Sequence, residues 1–155
     1  MVTSRLHLMI LYTAREMNKL DFGSGHNPKE GYKTCDIHGY VDYYFDNIEY
    51  KIITDDNVFD EIRCHNVIHH IQDLRKLSKE FNRVIRPGGT LEITESTREC
   101  YKMNYYLDFL WYRFIIPRHD IWFSPKYRDC REYFTEFKLV KYEVNKEKEL
   151  FVFSK

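Results

Sequence analysis

Between Ile71 and Ile85 the apolar residues Ile71, Leu74, Leu77, Phe81, Val84 and Ile85 recur with the helical period, which predicts a helix with one apolar face. Around it the rhythm changes. Thr90-Leu91-Glu92-Ile93-Thr94 alternates apolar and polar, as a strand does, and Leu20 to Phe22, Lys33 to Ile37, Val41 to Phe45 and Phe59 to Cys64 read as four earlier strands. Residues 3–17 are predicted as a helix capped by Thr3 or Ser4. His26 to Gly31 is predicted as one helical turn, because Pro28 suits a first helical position and Gly31 a C-terminal cap. Arg86-Pro87-Gly88-Gly89 ends the long helix. Strands alternating with helices indicate a parallel α/β sheet.

The last third changes character. Asn104 to Phe114 reads as an aromatic-rich helix and Pro125 to Phe134 as another. Lys138–Val144 and Glu149–Phe153, joined by Asn145-Lys146-Glu147-Lys148, are predicted as an antiparallel hairpin. The fold class is therefore α/β, a mostly parallel central sheet finished by a C-terminal antiparallel hairpin. The first crossover is short: joining parallel neighbours takes roughly a dozen residues, and Gly23 to Tyr32 barely supplies them.

The chain has 155 residues, the size of a single domain, with no internal repeat or low-complexity linker. Lys and Arg number 24, as do Asp and Glu, so no global field favours nucleic acid, a membrane surface or an acidic partner. Cys35, Cys64, Cys100 and Cys130 include no C-x-x-C pair and read as reduced thiols of a cytosolic protein. No run of about 18 apolar residues is present. Leu6 to Tyr12 is apolar, yet no small-residue cleavage site follows it before Arg15-Glu16. A soluble, cytoplasmic protein is expected, and composition gives no oligomeric state.

The chemistry concentrates at Asp21-Phe22-Gly23-Ser24-Gly25, where an apolar strand runs into an acid and a Gly-x-Gly turn. Glycines let the backbone approach a ligand closely. Asp36, ending the next strand, is placed to accept hydrogen bonds from a ribose diol. A dinucleotide fingerprint needs a third glycine where Pro28 stands, and little helix follows to meet a pyrophosphate. His65 and His69 are four apart, but no carboxylate or cysteine sits at ligand spacing, so no metal is expected.

From Leu20 to Thr94 these residues resemble the class I S-adenosylmethionine-dependent methyltransferases, in particular the small methyltransferase-domain proteins of the type 11 kind. Asp21 to Gly25 is similar to the family's first motif. Phe59-Asp60-Glu61-Ile62 with Cys64 to His70 is similar to its fourth-strand motif, and Arg83 to Leu91 to the Pro-Gly-Gly turn before strand five. The resemblance implies a Rossmann-like fold and S-adenosyl-L-methionine as cofactor. Residues 19–94 would then be a cofactor-binding core, 1–18 an N-terminal helix or arm, and 95–155 substrate-lid helices with the hairpin. It further implies that Asp21, Phe22, Gly23, Ser24 and Gly25 meet the amino-acid portion of the cofactor. Asp36 would take the ribose hydroxyls, Ile37 pack on adenine, Asp46 and Asn47 read the adenine edge, and His65 and Asn66 line the methyl end. Asn27 departs from the pattern, standing where many relatives have a third glycine.

His65 and His69 are the candidate catalytic bases, since imidazole titrates near neutral pH, with His70, Glu95, His119 and Asp120 as further candidates. The plain alternative for each histidine is packing or a solvent-facing ring. Arg83 and Arg86 read as helix-end charges on a solvated face, and the aromatic run Tyr105 to Phe114 as packing with some residues in a lid. The function implied is methyl transfer by in-line displacement to a small-molecule nucleophile, with protein or RNA as other acceptor classes. No Asn/Asp-Pro-Pro-Tyr/Phe pattern follows the fourth strand, which weighs against nucleobase amino groups. A non-catalytic cofactor- or partner-binding module is the alternative, favoured by the short crossover. A nucleotide-sugar or dinucleotide reductase is the second.

Overall fold

The computed structural model of the protein describes residues 15–100, 107, 110 and 126–155. Most of the helix expected over 3–17, most of Asn104–Phe114, and His119 and Asp120 lie outside these residues. Eight described strands form one sheet: β1 (Lys19–Phe22), β2 (Lys33–Asp36), β3 (Tyr43–Asp46), β4 (Lys51–Ile52), β5 (Phe59–His65), β6 (Ile85–Ser96), β7 (Lys138–Val144) and β8 (Lys148–Ser154). Their order is β4-β3-β2-β1-β5-β6-β8-β7. β3, β2, β1, β5 and β6 are parallel, with β4 antiparallel at one edge and the β7–β8 hairpin antiparallel at the other. The chain order reverses between β1 and β5. In open α/β sheets ligands bind beyond the strands' carboxyl ends at such a switch point.

The helix α1 (Leu74–Val84) starts later than its apolar pattern suggests, because Asp73 caps it, accepting from the N–H groups of Arg75 and Lys76 at 3.0 and 3.1 Å. Ile71 is buried ahead of the helix, and Ile85 already belongs to β6. Leu74, Leu77, Phe81 and Val84 lie at 0–1% exposure under the sheet. Phe81 meets Phe22 edge-on at 5.0 Å, and Phe22 meets Phe45 at 4.9 Å. Leu20, Ile62, Leu91 and Phe153 stand in register across β1, β5, β6 and β8 and complete this core.

The opposite face of the same strands is polar. Lys19 pairs with Glu61 at 3.2 Å, and Arg63 with Asp21 at 3.0 Å and Glu92 at 3.9 Å. Among the described residues no helix lies against this face. Parallel sheets are usually covered on both faces and read as continuous apolar runs. Here the alternation in β5 and β6 puts apolar residues on one face and these charged pairs on the other.

Several local expectations are corrected. His26 to Gly31 forms turns, not a helical turn: Asp21 Oδ2 accepts the Lys29 N–H at 2.8 Å and ties the short crossover down directly. Pro87-Gly88-Gly89 lies inside β6, where the pairing with β5 shifts register. β3 begins at Tyr43, since Asp42 instead accepts the Thr34 N–H at 2.8 Å. Within 126–134 the only helical element is a 3-10 turn at Cys130–Glu132, which still sends Cys130 and Phe134 into the core. β4 was not expected. Ile52 is fully buried there and its N–H donates to Glu80 Oε1 at 2.8 Å. Arg83 is an anchor rather than a solvated charge, binding Glu80, Asp56 and the carbonyls of Thr54 and Ile52. Arg86 holds both oxygens of Asp60.

Candidate functional site

β1 delivers the chain into Gly23, whose φ of +70° suits glycine and whose α-carbon faces Val67 too closely for a side chain. The N–H groups of Gly23 and Ser24 donate to Cys35 O at 2.8 and 3.2 Å, fastening the turn to β2. Gly25, at φ +52°, donates its N–H to Asp36 Oδ2 at 3.0 Å and, among the described residues, has no atom beyond its chain neighbours within 4 Å of where a Cβ would stand. The second acid and the glycine turn are thus one unit. Asp36 Oδ1 accepts the Ile37 N–H at 2.7 Å, and each oxygen keeps capacity for a further donor. Ser24 Oγ, on a residue 8% exposed, has no hydrogen-bond partner within the described residues. Buried hydroxyls are ordinarily satisfied, so this orphan and the open side of Gly25 fit a polar ligand lying along the turn.

Asp21 and Phe22 play other parts. The Asp21 carboxylate is buried, with Oδ1 on Arg63 and Oδ2 on the Lys29 N–H, so it shapes the crossover from beneath. The Phe22 ring is in the core, leaving only its backbone to the turn. Ile37 is half-buried against the core. Asp46 and Asn47 stand at the carboxyl end of β3. Asp46 Oδ1 accepts the N–H groups of Ile48 and Glu49, which hold its carboxyl below the usual range, and Asn47 is exposed.

His65 ends β5, and Asn66 follows at φ +53° with its N–H on Thr94 O at 2.9 Å and its Oδ1 accepting from Lys148. Burial, then the charges of Arg63 and Lys148, depress the His65 pKa and favour the neutral ring. His69 lies on a 3-10 turn, Ile68–His70, with Nδ1 2.9 Å from Glu95 Oε2. Glu95 Oε1 accepts the Ile68 N–H at 2.7 Å, so the carboxylate is fixed and orients the ring. Ile68, His69, Glu95, Ser96 and Tyr127 line a small cleft there. The described residues hold no cluster of three metal-ligating side chains.

Arg63 and Lys148 escaped the sequence reading. The signal for Arg63 was the alternation of β5, which points it to the same side as Asp21. In the sequence Lys148 is one more residue of a hairpin turn, and only the register of β8 against β6 brings it to Asn66.

The family described as Methyltransferase domain matches residues 20–93. Among solved structures, the chain is similar to a SAM-dependent methyltransferase from Methanosarcina mazei, at 16% identity and TM-score 0.63, covering 97% of this chain and 98% of that one. It is also similar to a SAM-dependent methyltransferase from Aquifex aeolicus, at 18% identity and TM-score 0.62, covering 90% and 82%. A third, from Mesorhizobium loti, has 10% identity and TM-score 0.64, covering 90% and 91%. No curated protein matches the sequence. The glycine turn joined to Asp36, the parallel sheet with its terminal hairpin and the match over residues 20–93 agree: residues 20–93 match the methyltransferase-domain family, and the chain has the fold of the S-adenosylmethionine-dependent methyltransferases.

Proposed function

We propose that this chain transfers a methyl group from S-adenosyl-L-methionine to a small-molecule nucleophile by in-line displacement. The observation that carries the reading is the Gly25 N–H to Asp36 Oδ2 bond at 3.0 Å, which makes the turn and the second acid one cradle beside the orphan Ser24 hydroxyl. In this reading Asp36 takes the ribose hydroxyls, Ile37 packs on adenine, and Asp46 and Asn47 meet its edge. The backbone of Gly23 to Gly25 lies along the amino-acid portion, with Ser24 Oγ as a further donor or acceptor, and His65 and Asn66 line the methyl end. Asp21 acts one step back, through the crossover and Arg63. When bound, the cofactor supplies a methyl group on an electrophilic sulfonium.

The chain's own contribution is alignment, worth several kcal/mol when reacting atoms are held in line. An acceptor that must lose a proton needs a base within reach. His65, favoured as a neutral imidazole, and His69, oriented by Glu95, are the candidates. The free state of Cys35, Cys64, Cys100 and Cys130 supports a cytoplasmic setting, and no helix among the described residues is long and apolar enough to cross a membrane.

Calorimetry with S-adenosylhomocysteine tests the cradle: Asp36→Ala should abolish binding while the chain stays folded, and unchanged affinity would sink the reading. Methyl-labelled cofactor, offered with panels of small molecules, proteins and RNAs, then tests the acceptor class. One observation favours a second reading, a non-catalytic cofactor-binding module. The crossover between β1 and β2 carries no helix, so one wall of the usual cleft is thin. Tight binding with no turnover on any panel would select that reading.

A further inference from the structure

We propose that Lys148 receives the amino-acid carboxylate of the bound cofactor, an inference that rests on the cofactor reading above. β8 begins at Lys148, opposite Ser96 at the carboxyl end of β6, so the terminal hairpin brings this side chain to the end of the sheet where the site lies. Its ammonium donates to Asn66 Oδ1. Asn66 is held left-handed at φ +53°, which asparagine tolerates better than most residues, and its N–H is fixed on Thr94 O. Val67, next in the chain, packs against Gly23 so closely that a Cβ there would stand 2.2 Å from Val67 Cγ2. Lys148, Asn66, Val67 and Gly23 form an unbroken line from the hairpin to the glycine turn.

Two further observations say what the lysine is for. The N–H groups of Gly23, Ser24 and Gly25 are all committed, two to Cys35 O and one to Asp36. A carboxylate lying along the turn therefore needs its main donor from elsewhere. On this face the cations of β1 and β5 are already paired. Lys19 has Glu61, and Arg63 has Asp21 and Glu92. Lys148, half-buried, makes no ion pair among the described residues and leans on a neutral amide oxygen. Its neighbour Glu149 is buried on the other face, accepting the Tyr127 hydroxyl at 2.5 Å. Asn66 holds the ammonium in place without neutralising it, and two of its three protons remain to meet an anion.

The test compares S-adenosylhomocysteine, which carries the carboxylate, with methylthioadenosine, which lacks the whole amino-acid end. Affinities are measured by calorimetry for the parent, Lys148→Gln and Lys148→Arg, with thermal melts as a fold control. Lys148→Gln should weaken S-adenosylhomocysteine roughly 10- to 100-fold, the worth of one charge-assisted hydrogen bond. Methylthioadenosine should be unaffected, and Lys148→Arg should retain most of the affinity. Equal S-adenosylhomocysteine affinity in the parent and Lys148→Gln overturns this inference alone. So does an equal loss for both ligands, since the lysine would then support the shape of the site. A parent chain that binds neither ligand overturns it together with the cofactor reading.

Discussion

Gly23→Ala and Gly25→Ala are the same chemical change two residues apart, and the structure predicts opposite consequences. Both glycines have positive φ, +70° and +52°, so each alanine carries a backbone strain of about 1–2 kcal/mol. At Gly25 none of the described residues beyond its chain neighbours stands within 4 Å of the new Cβ, and the strain is the whole cost. At Gly23 the Cβ would lie 2.2 Å from Val67 Cγ2 and 2.7 Å from Val67 Cβ. Carbon atoms rest about 3.5–4.0 Å apart, so Val67 must retreat by more than ~1 Å. Overpacking of that kind adds about 1–3 kcal/mol, which brings Gly23→Ala to about 2–5 kcal/mol in total. That is a large fraction of the ~5–15 kcal/mol available to a domain. Urea denaturation followed by circular dichroism measures the difference. Gly23→Ala should melt well before Gly25→Ala, and Val67→Ala added to Gly23→Ala should recover at least about 1 kcal/mol relative to additivity. Gly25→Ala should stay folded and lose S-adenosylhomocysteine affinity, because its methyl enters the open side of the turn. Equal midpoints for the two alanine variants, or strict additivity with Val67→Ala, would refute the packing argument. The larger Gly23→Val is for this reason a probe of folding before it is a probe of binding.

Arg63→Met should destabilise the chain by about 3 kcal/mol, because it leaves the buried Asp21 carboxylate with one backbone donor and no countercharge. Denaturant titration showing a loss below about 1 kcal/mol would contradict a structural role for the pair. Glu80→Ala should cost about 2–4 kcal/mol, since it strips Arg83 of a two-point partner and leaves the Ile52 N–H of β4 without its acceptor. Hydrogen exchange should then show β4 opening first. His65 titrates below its ordinary value of 6.5, so the unfolded chain takes up its proton first as pH falls. Its contribution to stability is complete above pH 6.5 and is lost as pH falls through the depressed folded value. The stability difference between parent and His65→Gln should therefore change as pH falls below about 7, and a constant difference would contradict the shift.

Much of the fold was written in local pattern. Alternation in β5 and β6, the helical period of α1 and the hairpin about Asn145 each depend on a few neighbouring residues, and the tertiary structure repeats them. The Gly-x-Gly turn and the acid ending β2 were legible for the same reason, since each is a short-range requirement of backbone geometry at a strand's end. Pro125 to Phe134 misled, because Cys130 and Phe134 share a helical spacing that successive turns satisfy equally well. The expected helical turn at Pro28 failed to a contact outside its own segment, the Asp21 carboxylate capturing the Lys29 N–H. The sequence by itself determined β1, β2 and β5, the apolar face of α1 and the glycine turn after β1, because φ preferences and hydrophobic period act over a few residues. Only the tertiary structure decided that Asp21 belongs to Arg63, that Glu95 orients His69, and that Lys148 reaches Asn66. Those pairs lie 42, 26 and 82 residues apart, and their charges meet only through the register of the sheet.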